Sequence, residues 1–286
     1  MYKRYLRSLT LPSGPEEIGF LSLERRTCFT TFYPFGLFPD KGLAHLDFGP
    51  ITILYGGNGS GKSTLLNILA EKLRAARQTA WNGSAFFQPY VDMCEADCAR
   101  LPRGSRIVGS DDVFDYMLSV RTLNEGIDAR REQLFEDYTT RKYAHRQLSG
   151  LDEYDDWKES MDARRVSQSQ YVRDRLMQNV ALRSNGESAI RFFMERIGEN
   201  ALYLLDEPEN SLSVALQLEL SRFLSDSARH FGCQLVIATH SPVLLAMQDA
   251  LIYDLDAHPV ATRDWTQLEN VRLLRGFFEE HRAEFA

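Results

Sequence analysis

The chain has 286 residues, of which 44% are hydrophobic and 26% are charged, and its formal net charge is −7. This composition is typical of a soluble globular protein with a substantial core, built as one large domain or two smaller ones. The acidic balance argues against wholesale wrapping by nucleic acid but leaves room for a local basic groove. No apolar run approaches a membrane span, and the basic N-terminus lacks a signal-peptide core, so we expect a cytoplasmic protein without a membrane partner.

The cysteines do not predict a disulfide framework or a zinc site. Four cysteines are too few for a disulfide-rich scaffold in a chain of this length. Cys94 and Cys98 are the only close pair, and no second Cys or His pair supplies the remaining ligands of a structural zinc site. A reduced, intracellular setting fits this usage best.

The first fifty residues are predicted to form short strands and turns. Residues 6–11 alternate in polarity, and residues 26–33 are rich in β-branched and aromatic side chains, with prolines and glycines between them. We therefore expect an antiparallel β layer at the N-terminus.

A β-branched strand over residues 51–55 leads into a glycine-dense turn and then a helix-forming run. The turn and the start of the helix read Gly56, Gly57, Asn58, Gly59, Ser60, Gly61, Lys62, Ser63 and Thr64. This is the pattern G-x-x-x-x-G-K-[ST] in its strand–loop–helix context. Glycines allow backbone N–H groups to surround a phosphate, and the helix N-terminus adds partial positive charge. Lys62 can reach the β- and γ-phosphates and Ser63 can ligate Mg²⁺. A glycine-rich turn with an incidental lysine is the alternative, which leaves both flanks unexplained, so we predict a nucleoside triphosphate site.

Aromatic side chains ahead of this turn are candidates for stacking on a nucleotide base, with core packing as the commoner role. They are Tyr33, Phe35 and Phe38.

Between the turn and residue 182, several short elements precede a long helix-prone stretch. The helix after the turn is predicted over residues 63–76, and an apolar segment with Gln88 follows over residues 85–91. A short strand is predicted over residues 106–108, and Ser110 is predicted to cap the next helix. A polar stretch nearly free of glycine and proline, about 112–182, is predicted to be a helical insertion. Its basic pairs could contact phosphate backbones, but interspersed acids favour a solvated helical face. The pairs are Arg130 and Arg131, Arg141 and Lys142, and Arg164 and Arg165.

The last hundred residues alternate strands and helices, which indicates a mostly parallel sheet. The apolar run 201–205 would bring Asp206 and Glu207 to the edge of that sheet where ligands bind. Asp206 could hold Mg²⁺ opposite Ser63, and Glu207 could orient and deprotonate a water at the γ-phosphate. Two acids that cap the next helix are the alternative.

Two further motifs point to the same chemistry. His240 follows the next predicted strand, over 234–239, where an imidazole could hydrogen-bond the γ-phosphate, although a lone histidine is often structural. A Ser-x-Gly turn at a helix N-terminus is a second phosphate-binding device, formed here by Ser184, Asn185, Gly186 and Glu187. One glycine-rich turn of the kind at residues 56–64, a P-loop, is enough to bind one triphosphate. The second turn therefore suggests a role at the nucleotide of another subunit.

These four motifs, in this order, resemble those of the ATP-binding cassette (ABC) ATPases. Within them the match is better to the branch shared by SMC, RecF and OLD-type proteins, often called AAA-family ATPases, than to the transporters. The resemblance implies an α/β P-loop NTPase, a single domain over residues 1–286, with ATP and Mg²⁺ as cofactors. It assigns Walker A to residues 56–64, the signature to 184–187 and the D-loop to 210–213. Lys62, Glu207 and His240 become the catalytic residues. Gln88 becomes the candidate Q-loop glutamine that contacts Mg²⁺, with Gln78 as the alternative.

The chain also departs from the transporters. Its signature lacks their second glycine and glutamine, and Glu209 stands where they have threonine after Asp-Glu-Pro. The insertion is too short for an SMC-like coiled coil. Within the SMC, RecF and OLD-type branch, the chain looks most like the compact stand-alone ATPases found beside effector genes in bacterial defence modules such as Septu and retron systems.

This resemblance implies a head-to-tail homodimer closed around ATP, a partner effector such as a nuclease or toxin, and DNA or RNA as a further candidate partner. An ATP-dependent scaffold that hydrolyses slowly or not at all and holds a toxic partner inactive is the alternative function. A transporter motor is a more distant one.

Overall fold

The computed structural model describes residues 3–25, 28–81, 83–143, 154–180 and 184–285. Its strands are β1 (Leu6–Thr10), β2 (His45–Asp47), β3 (Ile51–Tyr55), β4 (Glu95–Cys98), β5 (Arg106–Gly109), β6 (Leu202–Asp206), β7 (Gln234–Ala238), β8 (Leu251–Asp254) and β9 (Ala261–Thr262). Its α-helices are α1 (Gly14–Leu23), α2 (Lys62–Leu73), α3 (Phe87–Met93), α4 (Ser110–Tyr143), α5 (Tyr154–Arg165), α6 (Gln168–Arg173), α7 (Asn185–Arg196), α8 (Val214–His230), α9 (Pro242–Leu245) and α10 (Glu269–Glu280). Short 3₁₀ helices cover Pro39–Lys41, Trp265–Gln267 and Arg282–Phe285.

The larger sheet has the strand order β5-β6-β7-β3-β8-β9, and all but β9 run parallel. Every residue of β3 and β7 is buried, as expected for central strands covered on both faces. Helix α2 contacts β6 and β7 and buries an apolar stripe that includes Leu65, Ile68 and Leu69. The predicted α/β fold with a mostly parallel sheet is confirmed.

The predicted antiparallel β layer is also confirmed, and the strand expected over residues 6–11 is β1, but the other strands differ from those expected. It has the order β2-β1-β4, so its third strand comes from beyond the P-loop helix. The strand predicted over 26–33 is wrong for residues 28–33, which form turns, a bend and irregular structure, while 26 and 27 lie outside the described residues. The rings of Phe29 and Phe32 pack edge-on against Phe86, so these aromatics fill space beside a helix rather than lining a sheet.

A buried glutamine joins the two sheets. Gln234, at the start of β7, is completely buried, and its Oε1 accepts hydrogen bonds from the backbone N–H groups of Tyr5 and Leu6 at 2.7 and 2.8 Å. Its Nε2 donates to the carbonyls of Leu6 and Gly49 at 2.7 and 2.9 Å. All four side-chain bonds are made to backbone, which fixes β1 of the antiparallel layer against β7 and the turn before β3.

Two helices, α1 and α3, are not among the elements predicted from the sequence. Residues 14–23 form α1, where the Glu16 carboxylate accepts a hydrogen bond from the Ser13 N–H at 2.7 Å, half of a capping box. The apolar segment over residues 85–91, for which no helix or strand is predicted, overlaps α3, and α3 packs on α2.

The chain divides into two compact units, one of residues 1–113 with 185–286 and one of residues 114–184. The second unit is helical, and its small core contains Leu134, Tyr138, Ala163, Tyr171 and Val172. Two of its arginines pair with acids of the same unit, Arg131 with Asp128 and Arg141 with Glu159. These ion pairs agree with a solvated helical face. None of the described helices is both long enough and apolar enough to cross a membrane.

Candidate active site

The glycine-rich turn lies between β3 and α2, where its geometry depends on glycine. Gly59 and Gly61 have φ angles of +79° and +100°, which L side chains rarely adopt. A Cβ on Gly61 would lie 3.1 Å from Cε1 of Phe38, whose ring is completely buried. Phe38 is therefore a core residue beside the turn and is not accessible for stacking on a base. Residues 57–59 are exposed.

The Lys62 side chain is buried at the start of α2, with only 4% of its surface exposed. Its Nζ donates hydrogen bonds to the carbonyls of Gly56 and Gly57 at 2.7 and 3.0 Å. It also lies 3.8 Å from Oε1 of Glu207. The two carbonyls and the carboxylate compensate a cation that would be costly to bury alone.

Ser63 and Asp206 form an oxygen pair at the C-terminal edge of the sheet. The Ser63 hydroxyl donates to Oδ1 of Asp206 at 3.0 Å. The pKa of Asp206 is raised to about 6, mainly because the carboxylate is removed from solvent and also because of the nearby charges of Glu207 and Glu209; the Ser63 hydrogen bond and Lys62 lower it in part. Two adjacent hard oxygen donors, one of them a carboxylate that burial destabilises, fit a Mg²⁺ ion. Ser63 and Asp206 are the side chains that would hold it.

Glu207 follows Asp206 in a turn with φ +47°, a strained conformation of the kind found at functional sites. Its N–H donates to the carbonyl of Ala238 at 2.9 Å, which ties the turn to the end of β7. One carboxylate oxygen faces Lys62, and the other accepts a hydrogen bond from Nδ2 of Asn210 at 3.1 Å. The carboxylate is thus held on both sides.

His240 follows β7, the strand between β3 and β6, and therefore emerges between the P-loop and the acidic pair. Its Nδ1 lies 3.8 Å from Oε1 of Glu207 and 3.7 Å from Oε1 of Glu209. About half of the side chain is exposed. The backbone carbonyl of His240 accepts a hydrogen bond from Nδ2 of Asn270 at 2.6 Å.

The second predicted phosphate-binding turn lies at the start of α7. Ser184 precedes the helix, and Asn185, Gly186 and Glu187 form its first turn. A Cβ on Gly186 would lie 2.6 Å from Cδ1 of Leu216 and 3.4 Å from the carbonyl of Ser211. Because Gly186 has no side chain, the N-terminus of α7 can lie close to the segment that follows Glu207.

Gln88 does not join these residues. It lies on α3, is exposed, and donates through Nε2 to Oδ1 of Asp92 at 2.8 Å. A cavity of about 260 Å³ is lined by Ser63 and Asp206, and Gln88 is not part of its lining. Residues after β5 line it instead, because Gly109 pairs with Asp206 in the sheet. Gln78, the alternative, is an exposed loop residue and is also not part of the lining.

Of the other aromatic candidates, Tyr33 contacts the P-loop helix, whereas Phe35 packs against α1. The Tyr33 hydroxyl shares a hydrogen bond of 2.8 Å with Oγ1 of Thr64. Phe35 stacks on Phe20 of α1, with ring centroids 5.0 Å apart.

Three residues that the sequence reasoning did not assign also contact the site. The Asp256 carboxylate accepts a hydrogen bond from the Gly57 N–H at 2.7 Å. Glu209 accepts bonds from the segment that carries His240, and Asn270 holds that segment from α10. The acid at 209 was visible as a departure from the transporter pattern, whereas nothing local in the sequence marks Asn270 or Asp256.

Comparison with known proteins gives one family and several distant structural likenesses. The chain resembles a metal-chelate type ABC transporter in an inward-facing conformation (17% identity, 96% of this chain and 90% of that chain, TM-score 0.39). It also resembles the SMC head domain from Thermotoga maritima (13% identity, 91% and 99%, TM-score 0.42). A third likeness is to the Pyrococcus furiosus Smc head domain bound to the C-terminal domain of ScpA (13% identity, 97% and 99%, TM-score 0.42). No curated protein matches the chain.

The profile of the family described as "ABC transporter" matches residues 44–210, more than half of the chain. The matched stretch contains the glycine-rich turn, the signature turn and the acidic pair whose geometry is given above. The chain therefore belongs to the ABC transporter family and is an ATPase of the ABC type.

Proposed function

We propose that this chain is an ATP-hydrolysing switch that closes as a head-to-tail dimer and controls a partner effector. The observation that carries the proposal is the convergence of separate motifs on one edge of the sheet. The side chains are Lys62, Ser63, Asp206, Glu207 and His240.

Each of these side chains has a role that its surroundings support. Lys62 and His240 would bind the phosphate oxygens, and Glu207 would take a proton from the attacking water. The water oxygen then bonds to the γ-phosphorus while the bond to the β–γ bridging oxygen breaks, and ADP and phosphate leave. A Mg²⁺ ion held by Ser63 and Asp206 would supply positive charge next to the phosphates.

The open face of the site supports the dimer. Residues 57–59 and Ser63 are exposed, and half of the His240 side chain faces solvent. A bound triphosphate would therefore keep one side exposed within a single chain. In the proposed dimer the turn at residues 184–187 of a second copy covers that side with its N–H groups.

The dimer is tested by size-exclusion chromatography with light scattering, using Glu207→Gln, which keeps the shape of the side chain but cannot take a proton. With ATP and Mg²⁺ we expect this variant to accumulate as a dimer, and with ADP to remain monomeric. Glu219→Gln, at an exposed position on α8, is the matched control and should behave like the unmodified chain. A Glu207→Gln variant that stays monomeric at saturating ATP would contradict the sandwich.

The controlled partner is proposed on the family resemblance and is a nuclease or toxin, in an anti-phage or nucleic-acid-related process in the cytoplasm. Steady-state ATP turnover with and without DNA or RNA tests this. Stimulated turnover supports a switch that senses nucleic acid. No turnover under either condition supports the scaffold that holds its partner inactive.

A further inference from the structure

Glu209 lies two residues after Glu207, and only 5% of its surface is exposed. Its Oε1 accepts three hydrogen bonds from consecutive residues after β7. The donors are the Thr239 hydroxyl at 2.5 Å, the His240 N–H at 3.0 Å and the Ser241 N–H at 3.2 Å. The other oxygen, Oε2, is buried and has no hydrogen-bond partner among the described residues.

Such a buried carboxylate is costly unless it is hydrogen-bonded, and bonds to an ionised acceptor are about twice as strong as neutral ones. The three donors all belong to the segment that carries the imidazole. Thr239 Oγ1 also accepts a bond from the Ser241 N–H at 3.0 Å, which closes the segment on itself around the carboxylate. Glu209 therefore fixes the backbone from which His240 projects.

The same turn carries the catalytic carboxylate. Glu207 lies two residues before Glu209, and its N–H donates to the Ala238 carbonyl just before the segment. One backbone bond and one side-chain carboxylate thus tie the turn after β6 to the segment after β7. The distance from His240 Nδ1 to Glu207 Oε1, 3.8 Å, depends on both ties.

We propose that Glu209 is a positioning residue for ATP hydrolysis, whose carboxylate fixes His240 relative to Glu207. This inference rests on the proposed function, in which Glu207 and His240 act at the γ-phosphate. Glu209 itself contacts neither the phosphate nor the attacking water, and it affects the rate through the position of the imidazole. Its removal should therefore slow the chemical step and leave ATP binding by the P-loop intact.

The test combines Glu209→Ala with His240→Ala and measures single-turnover and steady-state hydrolysis. A displacement of about 1 Å in a catalytic group can cost about 100-fold in rate, so we expect Glu209→Ala to lower kcat at least tenfold with KM changed less than about twofold. In the His240→Ala background the same substitution should add less than twofold. Glu209→Gln keeps an oxygen acceptor at the same reach and should recover most of the lost rate.

A purely structural role gives a different pattern. It would lower the rate by the same factor with and without His240, and Glu209→Gln would not rescue it; that result overturns the inference. If Glu209→Ala fails to fold, Thr239→Val, which removes one of the three donors, takes its place and should show a smaller loss with the same dependence on His240. If the unmodified chain does not hydrolyse ATP, or His240→Ala hydrolyses it at the unmodified rate, the proposed function fails and the inference falls with it.

Discussion

Ser63 Oγ and Asp206 Oδ1 lie 3.0 Å apart, although the two residues are 143 positions apart in the chain. The first belongs to the opening turn of α2 and the second ends β6, two strands away from β3 in the sheet. This side-chain contact joins the P-loop and the acidic pair directly. The Asp206 carboxylate is partly buried, and the Ser63 hydroxyl donates a hydrogen bond to it.

The pKa of Asp206 predicts how the stability of the ligand-free protein depends on pH. It is about 6 in the folded protein against 3.8 for an ordinary aspartate. Between these values the folded state binds more protons than the unfolded state, so the free energy of unfolding falls as pH rises from about 4 to about 6. Above pH 6 Asp206 is ionised in the folded protein, and the full loss of stability caused by its charge is present. Asp206→Asn should therefore be more stable than the unmodified chain at pH 7.5, by about 1–3 kcal/mol.

Thermal unfolding with a chelator and without nucleotide, from pH 4 to pH 8, measures this difference. It should shrink as the pH approaches 4. Asp226→Asn, which changes an exposed carboxylate on α8, is the control for general effects of lost charge. A stabilisation by Asp206→Asn that is the same at every pH would show that burial of this charge is not its cause.

Lys62→Ala should abolish nucleotide binding, because it removes the ammonium that the Gly56 and Gly57 carbonyls hold at the start of α2. We expect affinity for a fluorescent ATP analogue to fall at least 100-fold, or about 3 kcal/mol. Lys72→Ala is the matched control on the last turn of the same helix, where the ammonium donates to the carbonyl of Val91. If the Lys62 variant bound the analogue with an affinity within threefold of the control, Lys62 would not contribute to nucleotide binding.

The parts predictable from sequence were those in which chemistry dictates a local pattern. The strand–turn–helix around residues 51–73 is of this kind, since a glycine-rich turn at a helix N-terminus has few other uses. The capping pattern Ser13-x-x-Glu16 was equally local, but nearby proline and glycine favoured a turn and α1 was missed. Residues 28–33 show the opposite error, because β-branched and aromatic side chains fit a turn as well as a strand once a ring packs on Phe86.

Gln88 shows what spacing alone does not predict. Its segment is apolar and short, which is compatible with a strand or a helix. The structure makes it a helix on α2 and leaves the place beside Asp206 to the end of β5. Glu209 and Asn270 depend on tertiary contacts with the segment after β7, so no pattern in one stretch of the chain identifies them.

Two glycines should respond in opposite directions to substitution by alanine. At Gly61, φ is +100° and a Cβ would lie 3.1 Å from the Phe38 ring, so Gly61→Ala should lower the free energy of unfolding by about 1–3 kcal/mol. Gly126 lies inside α4, where a Cβ would have no described atom of another element within 4 Å, so Gly126→Ala should stabilise by about 0.5–1 kcal/mol. Urea denaturation of both variants measures this. A neutral Gly61→Ala would mean that the turn relaxes without cost.

Gln234 should be among the most sensitive positions outside the site. Gln234→Leu keeps the volume but removes an acceptor for two backbone N–H groups and a donor to two carbonyls, all of them around β1 and the turn before β3. Each buried backbone group left without a partner costs about 1–3 kcal/mol, and some of these groups will instead hydrogen-bond to water. We therefore expect the free energy of unfolding to fall by about 3–5 kcal/mol.

Gln234→Glu separates the two halves of this network. It keeps the acceptor for Tyr5 and Leu6 but loses both donors and buries a charge, so it should be at least as damaging as the leucine at neutral pH. Gln248→Leu, at an exposed glutamine that contacts Arg229, is the control and should change stability by less than about 0.5 kcal/mol. Equal, small effects at 234 and 248 in urea denaturation would mean that the antiparallel sheet is held to β7 by apolar packing alone.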